Sequence, residues 1–393
     1  MKFRVRHTTR YRYSAPVSLC HNVAHLRPRA TATQSCDSSQ LSVVPAPAHV
    51  HAWEDLFGNL QDAFSIQQPH SELSVTALSE VEVVSAGDLL VSAFPIAWEQ
   101  ALEHLREAGD PRVREARQFR LESNFVEFSP GIMEYAAPSF AAGRPLLEAV
   151  HDLMQRIHRD FTYDPHFSNI ATPLHQVLEH RRGVCQDFAH LAIACLRAQG
   201  LAARYVSGYL ETLPPPGEKK QVGADASHAW FSVYVPHQGW VDFDPTNGHL
   251  PVDDHVTVAW GRDYADVISV RGVMIGPASD QHPHVAVDVE RLVGAERLML
   301  RVGHRRPQHL LDVGRVRRLA EQAAGEADAA HHGLKGFEVD LLRDQSDQSA
   351  GSAEVGDRVM ATHGDATCGG HCNPADRGNQ RRLARPIRTK QRD

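Results

Sequence analysis

Apolar and charged side chains alternate from the second residue onward. Phe3, Val5 and His7 lie between Lys2, Arg4 and Arg6, the two-residue period of a strand with one buried face. Further short runs, Gln40 to Val44 and Ser74 to Val84, are separated by Pro and Gly signals, so residues 1–84 read as a β-rich amino-terminal region. The period then changes. In a helical connecting segment, 85–144, Trp98, Ala101, Leu102 and Leu105 predict a helix over Pro95 to Glu107, followed by a charged stretch from Asp110 to Arg120. Leu147, Val150, Met154 and Ile157 form one stripe of a helix from about Arg144 to Arg159. A short helix comes next, with Thr172 as N-cap, Pro173 at its first position, Leu174, Val177 and Leu178 inside, and Gly183 as its stop. Another begins at Cys185, with Phe188, Ala189, Ala192, Ile193 and Leu196 at three- and four-residue spacings, and ends at Gly200.

Strand-like segments follow at Ala203 to Leu210, His228 to Val235 and Gly239 to Asp244. The insert Leu213 to Ala226, with Pro214-Pro215-Pro216-Gly217, cannot be a central strand and reads as a surface loop entering the strand that carries His228. These elements set a core over 145–250 and an extension of it over 251–290. In the tail, 291–393, the texture changes: from Arg301 to Asp393 the only aromatic ring of Phe, Tyr or Trp is Phe337. Such a segment has little from which to build a core, so it is expected to be largely disordered, with parts of Leu310 to Ala330 helical.

Composition narrows the function. The chain has 393 residues, 42% hydrophobic and 23% charged, the make-up of a globular protein long enough for two domains. A formal charge of −7 gives no general reason to bind nucleic acid or an anionic membrane surface. The start, Met1-Lys2-Phe3-Arg4-Val5-Arg6-His7, lacks the apolar region of a secretory signal, and no run of about 20 apolar residues follows. The six cysteines are too sparse for a disulfide framework, which fits a reducing compartment and a cytoplasmic location. No pattern in the chain specifies an oligomeric state.

Cys185 opens its helix in Arg182-Gly183-Val184-Cys185-Gln186-Asp187-Phe188. The first turn of a helix offers unpaired N–H groups and the positive end of the dipole, which favour a thiolate and can donate to a developing oxyanion. A thiol that performs acyl transfer needs a base and a group to orient that base. His228 lies in a strand where Ala229, Phe231, Val233 and Val235 make the dry face, and His228, Trp230, Ser232 and Tyr234 a wetter one. The turn Pro236-His237-Gln238-Gly239 suggests a hairpin to the strand carrying Asp242 and Asp244. His228 and Asp244 share a face only if paired residue numbers sum to an even number, as with Trp230 opposite Asp244. Periodicity does not separate Asp244 from Asp242. A metal reading of Cys185, His228 and Asp244 lacks a fourth ligand, and Cys368-Gly369-Gly370-His371-Cys372 is only half a zinc site, so no metal is expected.

These residues resemble the transglutaminase-like superfamily of cysteine acyltransferases and peptidases. The matching text is Gly183-Val184-Cys185-Gln186-Asp187, Leu196-Arg197, Gly200-Leu201-Ala202-Ala203-Arg204, His228-Ala229-Trp230, Gly239-Trp240 and Asp244-Pro245-Thr246. It covers about 145–250, and the amino-terminal region, with Arg10-Tyr11-Arg12-Tyr13, resembles the β region joined to this core in bacterial members. The resemblance implies an α+β fold in which a papain/transglutaminase-like core packs the nucleophile's helix on an antiparallel sheet, preceded by a β-rich domain. It implies Cys185 as nucleophile, His228 as general base and acid, and Asp244 as the residue that orients His228. Asp187 matches a recurrent acidic position of structural character, and Trp230 and Trp240 are expected to pack around the site. With no Trp between Trp98 and Trp230, Tyr163 is the substitute for the upstream tryptophan that serves some animal transglutaminases as second oxyanion donor. No Asp/Glu-rich loop of Ca²⁺ type is present, and no cofactor is expected. The implied substrate is a protein or peptide amide. A primary amine as acceptor makes the enzyme a transglutaminase, water makes it a cysteine peptidase or amidase, and a third reading is an inactive scaffold or binding module.

Overall fold

The computed structural model describes residues 1–84, 96–107, 109–212, 225, 227–278, 281–292 and 359–364. The amino-terminal region consists of β1 (Lys2–Val17), β2 (Leu19–Ala24), β3 (Gln34–Val44), β4 (Val50–Glu54), β5 (Leu60–Ile66) and β6 (His70–Val83). Helices α1 (Trp98–His104), α2 (Pro111–Arg117), α3 (Pro130–Ala136) and α4 (Leu146–Asp160) follow. Next come β7 (Thr162–Tyr163), α5 (Leu174–His180), β8 (Arg182–Gly183) and α6 (Cys185–Ala198). The remaining strands are β9 (Ala203–Leu210), β10 (Ser227–Val235), β11 (Gly239–Phe243), β12 (His255–Gly261), β13 (Val270–Ile275), β14 (Gln281–Leu292) and β15 (Val359–Gly364). Among the described residues no helix is long and apolar enough to cross a membrane.

The result is an α+β fold. One antiparallel sheet has the order β11-β10-β9-β12, and α6 packs against β9 and β10. Two further sheets, β14-β1-β6-β3 and β15-β13-β2-β5-β4, form the β-rich part. The alternation read at residues 2–7 continues along β1 and buries Phe3, Val5, His7, Thr9 and Tyr11. Phe3, Val5, Val81 and Val83 belong to the same apolar cluster as α4, α6 and β9–β11, so one continuous core joins the amino-terminal strands to the helix-and-sheet layer.

The segment 251–290, expected as an extension of the core, divides. Strand β12 completes the α6 sheet beside β9, whereas β13 pairs with β2 and β14 runs antiparallel to β1 from Lys2↔Leu292 to Tyr13↔Gln281. A strand's own pattern states which face is buried but not which edge it joins. The outer edge of β12 is closed by side chains of the amino-terminal region. Gln34 accepts from Thr257 N–H (2.8 Å) and donates to Thr257 C=O (2.7 Å), and Asn59 does the same at Trp260 (2.9 and 2.8 Å). Each amide supplies the pair of hydrogen bonds a neighbouring strand would have made.

Local punctuation differs from expectation around α5. The helix starts after Pro173, which is extended, and Thr172 accepts from Asn169 N–H instead of capping. It stops at Arg181, in the left-handed region at φ 56°, while Gly183 lies in β8. Gly183 serves close approach: a Cβ there would stand 2.8 Å from Asp187 Oδ2. The charged stretch after Asp110 includes α2, capped by the Asp110 carboxylate. The surface loop expected at Leu213 to Ala226 lies outside the described residues except for Asp225. So does the tail expected beyond 291, apart from Arg291 and Leu292 at the end of β14 and the strand β15 beside β13.

Candidate active site

Cys185 is the first residue of α6 and half-buried. The helix is enclosed along nearly its whole length, Gln186 to Arg197, so its amino-terminal turn is the part that meets an opening. Asp187 fastens that turn. Its Oδ2 accepts from Val184 N–H at 2.9 Å and from the Ser168 hydroxyl, and burial pushes its carboxyl up to about 6.

His228 is the second residue of β10, and Asp244 directly follows β11. The observed register, Phe231↔Phe243 and Val233↔Val241, sums to an even number and places His228 and Asp244 on one face. His228 Nε2 donates to Asp244 Oδ2 at 2.8 Å, and Cys185 lies close enough to the ring to act on its protonation. With Nε2 given to the carboxylate, Nδ1 is the nitrogen left for the thiol. Burial alone would lower the His228 pKa, but the Asp244 charge, its hydrogen bond and the nearby Cys185 outweigh it and push the imidazole up to about 10.

Asp244 is fully buried and saturated. Its Oδ1 accepts from Thr246 N–H (2.9 Å) and Asn247 N–H (3.2 Å), and its Oδ2 from His228, from Asn247 Nδ2 (2.7 Å) and from His255 Nε2 (3.0 Å). Burial would raise this carboxyl. The charge on His228 and the donated hydrogen bonds reverse that and hold it well below the usual carboxylate range. Asp242, which the pattern did not separate from Asp244, is used elsewhere: it accepts from Trp230 Nε1 at 3.1 Å and from the Ser232 hydroxyl.

The face expected to be wet is dry. His228, Trp230, Ser232 and Tyr234 are as buried as their neighbours, because β10 is flanked by β9 and β11 and the polar groups on this face bond one another. Trp230 forms the floor, its ring centroid 6.0 Å from that of His228 and 5.1 Å edge-on to that of His255. It crosses β9 over Gly208, where a Cβ would lie 2.5 Å from the indole and 2.1 Å from Val256 O. Trp240 corrects an expectation. It sits opposite Tyr234, six residues along β10 from His228 and so roughly 20 Å away at about 3.3 Å per residue. There it packs on Phe119, Tyr234 and the Arg204 guanidinium, away from the site. Tyr163 lies in β7, 45% exposed and in register with Gly183, two residues before Cys185.

Three members of the cluster were not singled out from the sequence: Asn247, Asp254 and His255. Asn247 carried a local signal, the turn Asp244-Pro245-Thr246-Asn247-Gly248. His255 carried none, since it arrives on β12 from beyond β9. His228, Asp244 and His255 bring one ligand atom each within 4.8 Å of one another, the donor set of a two-histidine, one-carboxylate metal site. Both imidazoles already give their Nε2 hydrogens to Asp244 Oδ2, so the cluster reads as a hydrogen-bond network.

Comparison with known proteins places this geometry. Residues 3–82 match the model of the bacterial transglutaminase-like N-terminal region, and residues 134–245, which contain Cys185, His228 and Asp244, match that of the transglutaminase-like superfamily core. An uncharacterized protein of Mycobacterium tuberculosis is 44% identical over 294 residues, covering 73% of this chain and 92% of its own. A protein-glutamine gamma-glutamyltransferase of Pseudomonas aeruginosa is 28% identical over 198 residues, 46% of this chain and 29% of its own. Among solved structures, a Cytophaga hutchinsonii protein assigned to the cysteine proteases superposes with a TM-score of 0.57 at 21% identity, covering 75% of this chain and 91% of its own, and so shares the fold.

Proposed function

The chain belongs to the transglutaminase-like superfamily, and on that premise we propose that it transfers acyl groups from amides through a thioester on Cys185. The observation that carries this reading is the position of His228, near the helix-opening thiol and hydrogen-bonded to a buried, ionised carboxylate. The likeness to a protein-glutamine gamma-glutamyltransferase supports a glutamine side chain as acyl donor.

The Cys185 thiolate attacks the carboxamide carbon, a C–S bond forms and the carbonyl π electrons move onto oxygen. The Cys185 N–H, in the first turn and without a helical acceptor, donates to that oxyanion. Collapse re-forms the carbonyl and breaks the C–N bond, and the departing nitrogen takes the Nδ1 proton of His228 and leaves as ammonia. A primary amine then attacks the thioester and loses a proton to His228. The C–S bond breaks, leaving the amide product and the thiolate–imidazolium pair. Asp244 keeps His228 oriented with Nε2 inward throughout, and Trp230 excludes water from beneath it. Water in place of the amine would make the same thioester a peptidase or amidase intermediate.

Incubation with a glutamine-containing peptide and a labelled primary amine, comparing the wild type with Cys185→Ala, tests the reading. Amine incorporation by the wild type alone is expected. Cleavage or ammonia release without incorporation would transfer the assignment to hydrolysis, and identical traces from both proteins would reject turnover by Cys185 on this substrate.

A further inference from the structure

The carboxylate that orients His228 is shared with a second imidazole. His255 opens β12, is 5% exposed and lies beyond the segment that matches the family core. Its Nε2 is 3.0 Å from Asp244 Oδ2 and its Nδ1 is 2.6 Å from Asp254 Oδ1. Carboxylate oxygens only accept, so each ring nitrogen must present a hydrogen, and a ring with hydrogens on both is an imidazolium. Burial opposes that charge and the two carboxylates outweigh it, raising the pKa of His255.

Among the described residues, the charged and titratable groups around this ring are few. Asp254 precedes it on its own strand, Asp244 reaches it from the end of β11, and His228 faces it from β10 with ring centroids 5.7 Å apart. His249, in the preceding loop, is edge-on at 5.6 Å, and β9 contributes Gly208 and Leu210, which carry no charge.

Resting on the catalytic reading of Cys185, His228 and Asp244, we propose that His255 is a positively charged positioning residue that, braced by Asp254, holds Asp244 from the side and balances its charge. Asp244 alone would bind the His228 proton too firmly for release to a leaving amine. A positive charge 5.7 Å from His228 offsets part of that attraction. The catalytic row thus runs from Cys185 through His228 and Asp244 to His255 and Asp254.

The pH dependence of Cys185 alkylation by iodoacetamide, followed by peptide mapping of the full-length protein, tests this without requiring turnover. His255→Gln keeps a donor toward Asp244 and removes the charge. Loss of a neighbouring positive charge favours protonated His228, so the upper inflection of the profile should move up by about one pH unit, a tenfold change in proton affinity. An unchanged inflection in a folded variant would overturn the role of His255. A wild-type profile like that of an isolated thiol would instead overturn the thiol–imidazole pair itself. Should His255→Gln not fold, NMR of ¹⁵N-histidine-labelled wild type at about pH 8, where an ordinary imidazole is neutral, is the second measurement. A doubly protonated ring that disappears in Asp254→Asn is expected, and the absence of such a ring overturns the proposal.

Discussion

Among the described residues, two Cys–His pairs lie in different regions, and they differ in their means to react. In the amino-terminal strands Cys20 Sγ is 3.5 Å from His70 Nε2, an arrangement whose residue types match those of Cys185 and His228. There the third partner is a carbonyl: His70 Nδ1 donates to Gln68 O at 2.8 Å, which leaves Nε2 as an acceptor for the thiol hydrogen. Cys20 is 2% exposed within a strand and its pKa is raised, chiefly by burial. Cys185 is half-buried at a helix start, and its histidine leans on an ionised carboxylate. Proximity of sulfur to imidazole is therefore not enough. The group behind the imidazole and the dipole beneath the sulfur decide whether the pair stores a proton or moves one.

The contrast is most directly broken by exchanging the sulfurs for alanine. Cys185→Ala should abolish amine incorporation while leaving the melting temperature nearly unchanged. Cys20→Ala should keep the wild-type rate and lower stability by about 1–2 kcal/mol in a denaturant titration, through a small cavity. Equal losses of activity from both would erase the distinction drawn between them.

The carboxylate is the next lever. Asp244→Asn keeps the shape and removes the charge, so turnover should fall by about ten-thousandfold, by analogy with the carboxylate-to-amide change in a hydrolase triad. A drop of less than about tenfold, measured in the same amine-incorporation assay, would show that the third group matters little here.

Gly208→Ala tests the floor rather than the chemistry. Its Cβ would meet Val256 O and the Trp230 indole, so a destabilisation of about 2–3 kcal/mol is expected from overpacking, with displacement of Trp230 beneath His228. An unaltered melting curve would indicate that β9 and β10 can separate at no cost.

The smallest effect is on stability against pH. The folded His228 pKa lies above its unfolded value of about 6.5. Its contribution to stability is therefore complete below about pH 6.5 and is lost as pH rises through about 10. The Asp244 pKa is depressed, so its contribution is present above about pH 4 and is lost as pH falls below that value. Denaturant midpoints should therefore decline on the alkaline side in the wild type and decline less in His228→Gln.

Much of the site was legible because its signals are local. A cysteine after Gly183-Val184, a histidine two residues before Trp230 in an aromatic strand run, and an aspartate before Pro245 each declare a backbone setting. The even-sum register was also foreseeable, as a condition that Phe231↔Phe243 satisfies. The misreadings share one origin. Gly183 looked like a helix stop because a glycine's permissiveness does not say whether a turn or a neighbouring side chain requires it. Trp240 looked like part of the site because sharing a hairpin does not fix distance along it. The wet face of β10 was dry because alternation reports two faces, not what covers each.

The sequence by itself determined the α+β elements, the period of each and the chemical identity of sulfur, imidazole and carboxylate, since these depend on neighbours within a few residues. Only the tertiary structure decided that His255 joins His228 and Asp244 from β12, and that Gln34 and Asn59 close the edge of the sheet on which β12 lies. Those choices rest on contacts between residues far apart in the chain, set by which strand edges meet and which charges are desolvated together, and no local pattern carries that information.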